Sequence, residues 1–288
     1  MKAIIIGKSG QLASELAVEV PRNIKILSLG RDDVDITSYS EMLKVVSEFK
    51  PNVIINASAY TAVDKAETEQ EQAYLINHAA VEVLAKVAKE SASRFIHIST
   101  DFVFDGNSNV AYGIESETNP TGVYGASKLA GEEAVKNIYP ENSTVVRTSW
   151  VYSSFGNNFV KTMLKLMAEK DQLSVVSDQI GCPTYAKGLA KFLWALASKE
   201  SIEFIYHWSD AGVASWYDFA VAIQSISLEK GLLTNKIPIK AIPSSAYPTP
   251  AKRPHFSLLD ISATAEIVES LYWCEQLESC LKEIKMGK

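Results

Sequence analysis

Short apolar runs alternate with amphipathic helical patterns in the first half of the chain, and this alternation constrains the fold more than any other feature. Apolar runs typical of buried strands lie at 3–7, 24–29, 53–57, 95–99 and 144–148. Helical patterns lie between them, at 11–20, 38–49, 70–90 and 123–137. Strands that alternate with helices form βαβ units. The sequence therefore predicts an α/β fold with a doubly wound parallel sheet.

A glycine turn follows the first predicted strand and opens the first predicted helix. Residues 7–13 have the spacing Gly-x-x-Gly-x-x-Ala, with Ala13 in place of a third glycine. Glycines allow a tight turn and let the backbone approach a pyrophosphate, whose charge is favoured at a helix N-terminus. An ordinary tight turn is the alternative, but the position favours a dinucleotide site that would include Gly7, Gly10, Gln11 and Leu12.

The second half of the chain is less regular. We expect helices at 157–169, 185–198 and 273–285, strands at 173–176 and 204–208, and a long irregular connection at 237–254. The pattern suggests two units. Residues 1–150, together with 184–208, are expected to form a dinucleotide-binding domain. Residues 151–183 and 209–288 are expected to form a smaller C-terminal substrate-binding lobe.

Composition and charge argue against several classes of function. The formal net charge is -6 over 288 residues, which argues against a dedicated nucleic-acid binder. No apolar run has the length of a membrane span or the pattern of a signal peptide, so we expect a cytoplasmic protein without a membrane partner. Cys182, Cys274 and Cys280 form no C-x-x-C pair, and the histidines show no metal spacing. Free thiols and no metal site are therefore expected.

The end of the second predicted strand bears on the choice of nicotinamide cofactor. An acid usually binds the ribose 2′-hydroxyl of NAD at this place, but Gly30 and Arg31 stand there instead. An arginine can bind a 2′-phosphate through charge-assisted hydrogen bonds, so we expect NADPH, with NADH as a second possibility; a solvated surface arginine is the alternative. Asp35 and Ile36 are candidates for the adenine end, although Asp35 could equally cap the next helix.

Two further strand ends carry candidate ligand-binding residues. Small residues after the third strand would leave room for a ribose and nicotinamide, or would simply pack closely at a strand end; the candidates are Ala57, Ala59, Tyr60 and Thr61. The fourth strand ends in Ser99-Thr100-Asp101. Carboxyl strand ends form the rim where open α/β sheets bind ligands. Thr100 is therefore a candidate to bind a substrate oxygen or a phenol, with helix capping as the alternative.

Tyr124 and Lys128 stand four residues apart in the predicted helix 123–137, so they share one face. This spacing would hold an ammonium near a phenol, which could then pass a proton to and from a carbonyl oxygen. A free tyrosine has a pKa of about 10, and lowering it to near neutral requires roughly 4 kcal/mol of local field. The lysine and a positively charged nicotinamide could supply that field, so we expect a lowered pKa for Tyr124.

Longer strings resemble the extended short-chain dehydrogenase/reductase family, and within it the reductases that form dTDP-L-rhamnose. They are more specific than the Tyr/Lys pair, which short-chain enzymes share. They span most of the chain: 7–12 (GKSGQL), 56–66 (NASAYTAVDKA), 99–104 (STDFVF), 124–132 (YGASKLAGE), 147–152 (RTSWVY), 156–163 (GNNFVKTM), 178–184 (DQIGCPT) and 244–254 (SSAYPTPAKRP).

This resemblance implies a Rossmann-like sheet that binds NAD(P)H and a small lobe over a nucleotide-sugar substrate. It implies hydride transfer from the nicotinamide to C4 of a 4-keto-6-deoxy sugar. By motif match, Thr100, Tyr124 and Lys128 would be the catalytic residues. Tyr124 would be the proton donor, Lys128 would tune it and bind the nicotinamide ribose, and Thr100 would fix the phenol and the substrate oxygen.

The resemblance also suggests residues that contact the sugar. Asp101 and Trp150 match positions that line it, although Trp150 could equally be a core residue at a strand end. Arg253 would contact the substrate or close the lobe, and closure is the favoured interpretation.

Quaternary structure and function class are less constrained. Some members of the resembled family pair through a magnesium ion held by acidic side chains. Glu15 could serve, but Lys187 stands where a second acid is expected, and an ammonium repels the ion. We therefore expect no metal bridge, and a monomer or a homodimer. Two other functions remain as alternatives: a reductase or epimerase of another nucleotide sugar, and a non-catalytic regulatory subunit that binds NADP.

Overall fold

Strands and helices alternate in the first half of the structure, a computed structural model that describes residues 1–287. Each strand predicted there is found within one residue at both ends. The predicted second lobe includes Lys288, which lies outside the described residues. The elements in chain order are β1 (Lys2–Ile6), α1 (Gln11–Val18), β2 (Lys25–Leu29), α2 (Tyr39–Phe49), β3 (Val53–Asn56), α3 (Val63–Ala66), α4 (Gln70–Tyr74), α5 (Ala80–Glu90), β4 (Arg94–Thr100), α6 (Val123–Ile138) and β5 (Ser143–Thr148).

Shorter strands and longer helices form the rest of the chain. The sequence did not predict the strands at 151–152, 180–181, 184–185, 214–215 and 239–242 or the helices at 216–229 and 262–265. The strand at 239–242 lies inside the expected irregular connection. The elements are β6 (Val151–Tyr152), α7 (Phe159–Glu169), β7 (Leu173–Val176), β8 (Ile180–Gly181), β9 (Thr184–Tyr185), α8 (Ala186–Ser198), β10 (Ile205–Trp208), β11 (Ala214–Ser215), α9 (Trp216–Glu229), β12 (Ile239–Ile242), α10 (Ser262–Ala265) and α11 (Trp273–Lys285).

A six-stranded parallel sheet lies at the centre, in the order β10-β5-β4-β3-β1-β2. The order reverses direction between β1 and β3, which creates a crevice at the carboxyl ends of the strands. This confirms the predicted doubly wound α/β fold. Strands in such a sheet are covered on both faces, which explains why they are continuous apolar runs.

Three large apolar cores lie on and beside the sheet, and a fourth, smaller one contains Phe104 and Tyr112. One lies between one sheet face and the helices α1 and α8, and it includes Leu16 and Phe192. A second lies on the opposite face, where Leu84 of α5 packs with Met42 of α2. The third lies outside the sheet, among α7, α9 and α11, and is built around Phe219. The site described below lies between the sheet and this third core.

Two predictions of local structure need correction, one of a helix and one of an irregular connection. The predicted helix 70–90 is interrupted by a π-helical turn, Leu75–Ala79, between α4 and α5. Asn77 of this turn is buried and bonds through its side chain to the backbone of Tyr60, so a tertiary contact accompanies the interruption. The stretch 237–254 is not wholly irregular, because β12 pairs in parallel with β7. Among residues 1–287, no helix combines the length and the apolar character needed to cross a membrane.

Candidate active site

The glycine turn has the geometry that a pyrophosphate requires. Gly7 has φ of 101°, and a Cβ atom there would lie 2.9 Å from the carbonyl oxygen of Ala57. The turn is closed by a 2.7 Å hydrogen bond from the Gly10 amide to the Gly7 carbonyl. The N-cap of α1 provides no side-chain cap, and its first turn holds no acidic residue. The first amides of α1 are therefore free to bind an anion.

One cavity of about 1060 Å³ lies over the carboxyl ends of the central strands. It brings together all the sequence-predicted cofactor, catalytic and substrate residues except Tyr60. These are Gly7, Gly10, Gln11, Leu12, Gly30, Arg31, Asp35, Ile36, Ala57, Ala59, Thr61, Thr100, Asp101, Tyr124, Lys128, Trp150 and Arg253. Their individual roles remain predictions.

Tyr60 does not line this cavity. Its phenol instead donates a 2.6 Å hydrogen bond to Glu69. Its backbone is held by the Asn77 side chain, through contacts of 2.9 and 3.1 Å. The neighbours of Tyr60, Ala59 and Thr61, line the cavity. A role of Tyr60 in cofactor binding stays a prediction.

Lys128 is the buried cation of the site. Its Nζ donates a 2.6 Å hydrogen bond to the carbonyl oxygen of Ile98, and the side chain is 2% exposed. Burial lowers the pKa of Lys128 to about 8, while the Glu132 carboxylate one turn along α6 opposes that shift. A lysine with a pKa in this range can exchange its proton near physiological pH.

Tyr124 lies in a desolvated part of the cavity. Its ring packs edge-on against Phe102, with ring centroids 5.5 Å apart. Desolvation raises the pKa of Tyr124 to about 12, and the Asp101 carboxylate contributes in the same direction. A side-chain hydrogen bond with Thr100 acts in the opposite direction, and the lowering expected from Lys128 together with a positively charged nicotinamide stays a prediction. The phenol is held protonated, the form that donates a proton.

Thr100 and Asp101 share a buried hydrogen bond at the end of β4. The Thr100 hydroxyl donates to Asp101 Oδ1 over 3.0 Å and accepts from the Phe102 amide over 3.2 Å. The capping role considered for Thr100 is thus present. Burial raises the pKa of Asp101 to about 6, while side-chain hydrogen bonds with Ser257 and Thr100 act in the opposite direction. Asp101 also lines the cavity, so its carboxyl is placed to bind a substrate hydroxyl.

Two cationic side chains lie near the β2 end of the cavity: Arg31, and Lys8, which is paired with an acid. Arg31 is exposed there. Asp33, which the sequence analysis missed, accepts from the Gly30 amide over 2.8 Å and pairs with Lys8 at 3.3 Å. Asp35 accepts from the amide and hydroxyl of Thr37 over 2.9 and 2.7 Å. Its carboxylate thus makes a local turn, whereas the cap of α2 is Ser38, which accepts from the Glu41 amide, so the capping alternative for Asp35 is wrong.

Two stacked indoles form the wall on the side of the third core. Trp150 and Trp216 have ring centroids 3.7 Å apart and nearly parallel planes. Trp150 has φ of 47°, a left-handed conformation that is uncommon outside glycine. Trp216 was missed together with α9. The signal that could have revealed both is the capping box formed by Ser215 and Asp218.

Arg253 links the segment after β12 to the sheet half of the molecule. Its guanidinium makes two hydrogen bonds to the Asp64 carboxylate, of 3.0 and 2.7 Å. The Arg253 guanidinium holds the pKa of Asp64 below its usual value. Because Asp64 lies in α3, this pair closes one side of the cavity, as the favoured interpretation expected, and Arg253 also lines the cavity itself.

A buried ion pair lies behind the catalytic candidates. Arg147 of β5 contacts Glu132 of α6 through three nitrogen–oxygen distances of 2.7, 3.0 and 3.1 Å. Ser99 donates a further hydrogen bond to the same carboxylate. The sequence strings include all three residues, but only the fold shows that they form one network.

The fold and the cavity define the class of this chain: an extended short-chain dehydrogenase/reductase, with a glycine turn and a Thr–Tyr–Lys set over one parallel sheet. A family model described as the RmlD substrate binding domain matches residues 1–286. The chain belongs to that family.

Individual relatives are similar over almost their whole length. A dTDP-4-dehydrorhamnose reductase from Aggregatibacter actinomycetemcomitans is 42% identical over 268 residues, which cover 91% of each chain. A crystal structure of a dTDP-4-dehydrorhamnose reductase from Clostridium acetobutylicum has a TM-score of 0.92 at 36% identity, covering 99% of this chain and 100% of that one. The enzyme of the same name from Bacillus anthracis, solved in complex with NADP, has a TM-score of 0.92 at 35% identity, covering 98% and 99%.

Proposed function

We propose that the chain reduces the C4 keto group of dTDP-4-dehydro-6-deoxy-L-mannose with NADPH, giving dTDP-L-rhamnose. The observation that carries this proposal is the shared cavity. The glycine turn at Gly7, the acid–base candidates Tyr124 and Lys128, and the indoles Trp150 and Trp216 all line it. The names of the relatives support the substrate, and the NADP bound by the Bacillus anthracis enzyme supports the cofactor.

The residues divide the work of reduction. NADPH supplies the hydride that C4 accepts. As the carbonyl oxygen gains negative charge, Tyr124 donates its phenolic proton to it, which balances the hydride and leaves an alcohol. Lys128, in its charged form, stabilises the phenolate that remains. The Thr100 hydroxyl, whose proton is donated to Asp101 in this structure, would turn to the carbonyl oxygen to hold it beside the phenol.

The burial of the Tyr124 phenol favours the reaction in the direction of reduction. Desolvation holds Tyr124 protonated, with its pKa raised to about 12, so the proton is available before the hydride is transferred. The exposed Arg31 supports a preference for NADPH, because the nearby Asp33 is paired with Lys8 and held by the Gly30 amide. The negative charge of Asp33 is thus partly neutralised, so it repels a 2′-phosphate less than a free carboxylate would.

The division of the chain into two units is part of the proposal. Residues 1–150 with 184–208 would bind the dinucleotide, and 151–183 with 209–287 would bind the sugar nucleotide. The core shared by α7, α9 and α11 supports a separate lobe. The Trp150–Trp216 stack lies where the two units meet the cavity.

Assembly and location are also proposed here. Lys187 Nζ lies 2.7 Å from Glu283 and 3.5 Å from Glu19, close to the place expected for a shared ion. The ammonium supports a monomer, or a homodimer that needs no metal, and sedimentation with and without magnesium tests this. A magnesium-dependent dimer would contradict it. Free thiols at Cys182 and Cys280 support a reducing compartment, the cytoplasm.

The decisive experiment measures NADPH oxidation by nicotinamide absorbance. The substrate is dTDP-4-dehydro-6-deoxy-L-mannose, compared with its 4-keto epimers and with GDP analogues. We expect the fastest oxidation with the dTDP-L-sugar. Faster turnover of another sugar nucleotide would reassign the substrate. Oxidation of none of them would favour a regulatory subunit that only binds NADP.

A further inference from the structure

A buried histidine lies directly behind Lys128. His97 is in the middle of β4 and is 0% exposed. Its Nε2 lies 3.5 Å from Lys128 Nζ, and its Nδ1 lies 3.1 Å from the side-chain nitrogen of Asn56. Asn56 ends β3 and is the register partner of His97 across the two strands. The contact between the imidazole and Asn56 is therefore set by the register of the sheet.

The orientation of the Asn56 amide follows from its other contacts. The backbone amide of Ser58, which can only donate, lies 3.1 Å from Asn56 Oδ1, and the Ser58 hydroxyl lies 2.6 Å from the same atom. Oδ1 therefore faces Ser58, and the amide nitrogen Nδ2 faces His97. Since Nδ2 only donates, His97 Nδ1 must accept.

This arrangement leaves one tautomer for His97. Burial, together with the charge of Lys128, lowers the pKa of His97 well below its usual value, so the ring is neutral. With Nδ1 accepting, the ring proton is on Nε2 and points toward Lys128. A neutral amine can accept this N–H, whereas an ammonium cannot and is repelled by it. His97 thus favours the neutral form of Lys128.

The charged and titratable groups around Lys128 come from several elements. Its own helix contributes Tyr124 and Glu132, and Glu132 favours the ammonium. The start of the turn after β4 contributes Asp101, whose charge acts on Tyr124. β5 contributes Arg147, which is paired with Glu132. Among the groups that contact the Lys128 Nζ directly, the Ile98 carbonyl accepts and the His97 Nε2–H donates.

We propose that His97 is a positioning residue for the reaction: Asn56 fixes its tautomer, and the Nε2–H that results sets the protonation state of Lys128. The inference rests on the proposed reductase function for its kinetic consequence. Its structural part, the tautomer, stands by itself. The alternative is that Asn56 and His97 only stabilise the fold.

The kinetic test is the pH dependence of kcat/KM for NADPH-dependent reduction. Lys128, with its pKa near 8, loses its proton before Tyr124, with its pKa near 12, as pH rises. The fall of kcat/KM at high pH, called the alkaline limb below, therefore reports the loss of the Lys128 proton. In Asn56→Asp the carboxylate keeps Ser58 as donor and accepts a hydrogen bond from the Nδ1–H of His97. His97 Nε2 then faces the ammonium as an acceptor, and the limb should move up by about one pH unit or more.

Two further variants separate electrostatics from folding. Asn52→Asp is the matched control, because Asn52 is exposed just before the other end of β3, and the same charge there should leave the limb in place. His97→Leu removes the facing N–H without adding charge, so the limb should move up, but less than in Asn56→Asp. A purely structural role would lower the melting temperature of His97→Leu and leave its limb unmoved, which would overturn the proposal.

The structural test is histidine-selective 15N NMR of the protein without cofactor. The chain has only four histidines. His207 provides an internal reference with the opposite tautomer, because its Nδ1 lies 3.0 Å from the Tyr112 carbonyl oxygen and must donate. We expect His97 to carry its proton on Nε2, and to move it to Nδ1 in Asn56→Asp above about pH 7.5. A proton on Nδ1 in the wild type would overturn the proposal.

The two proposals can fail separately. If wild-type protein reduces no sugar nucleotide, the proposed function fails, and the 15N spectra still decide the tautomer. If reduction occurs and the tautomer switches in Asn56→Asp while the limb stays in place, the role of His97 is refuted and the reductase function stands. If Asn56→Asp does not fold, His97→Leu and the wild-type spectrum decide the question.

Discussion

Neutralising Glu132 should destabilise the protein strongly, although Glu132→Gln hardly changes the size of the side chain. The Glu132 and Arg147 side chains are each 4% exposed, and the carboxylate also accepts from Ser99. Removing one partner of a buried pair leaves an uncompensated charge and costs about 3–5 kcal/mol. Glutamine can still accept hydrogen bonds through its one carbonyl oxygen, so we expect about 3 kcal/mol, the lower end of that range.

Urea unfolding followed by circular dichroism measures this loss, and thermal unfolding should show a fall of roughly 6 °C or more. The matched control is Glu133→Gln, the next residue along α6, which is exposed and should change stability by no more than about 0.5 kcal/mol. The double variant Glu132→Leu with Arg147→Met should recover most of the loss, because it removes both charges. A Glu132→Gln variant as stable as Glu133→Gln would refute the reasoning.

Glu132→Gln also has a kinetic signature. The Glu132 carboxylate raises the pKa of Lys128, so its removal lets that pKa fall further below the usual value. Lys128 would then lose its proton at lower pH, and the alkaline limb of kcat/KM should move down. This is opposite to the shift expected for Asn56→Asp. A limb that moved up in both variants would show that the ionisation belongs to another group.

Three further variants test the proposed site. Tyr124→Phe removes the proton donor and should lower kcat by about 100-fold or more while NADPH binding, followed by cofactor fluorescence, stays intact; normal turnover would refute the assigned role. Arg31→Ala should raise the KM for NADPH by about 10-fold or more and that for NADH little, and equal changes would defeat the 2′-phosphate assignment. Gly7→Ala should destabilise by about 2 kcal/mol or more and weaken NADPH binding, because φ is 101° and the added Cβ meets backbone. Gly113→Ala, where a Cβ meets nothing closer than 3.9 Å, is its control and should be silent.

The sheet was predictable because its strands are buried on both faces. A strand such as Val53–Asn56, buried throughout, has no polar face and is visible as an apolar run. α9 was not predicted, because Trp216–Glu229 mixes aromatic and β-branched residues with little polar patterning. The π-helical turn at Asn77 was not predicted for a different reason. Asn77 contacts Tyr60 and Ser127, which are distant in sequence.

The features of the site also include some that the sequence predicts and some that only the fold determines. Gly7, Tyr124 and Lys128 were predictable because short-range spacing decides where they lie on their elements. The contact between Asn56 and His97 was not, because it depends on β3 pairing with β4 in one register. The pKa of Tyr124 also could not be predicted from the sequence. The lysine was visible four residues away, but the desolvation that raises the pKa of the phenol belongs to the assembled cavity.

The position of β10 has a consequence for synthesis of the chain. β5 is buried along its whole length and pairs with β4 on one side and β10 on the other. β10 begins only at Ile205, well after β5 ends at Thr148. At about 5–20 residues per second, the ribosome takes several seconds to make the intervening segment. During that time a growing chain that ends between Thr148 and Ile205, and whose first five strands have paired, presents an open, apolar sheet edge on which another chain can pair.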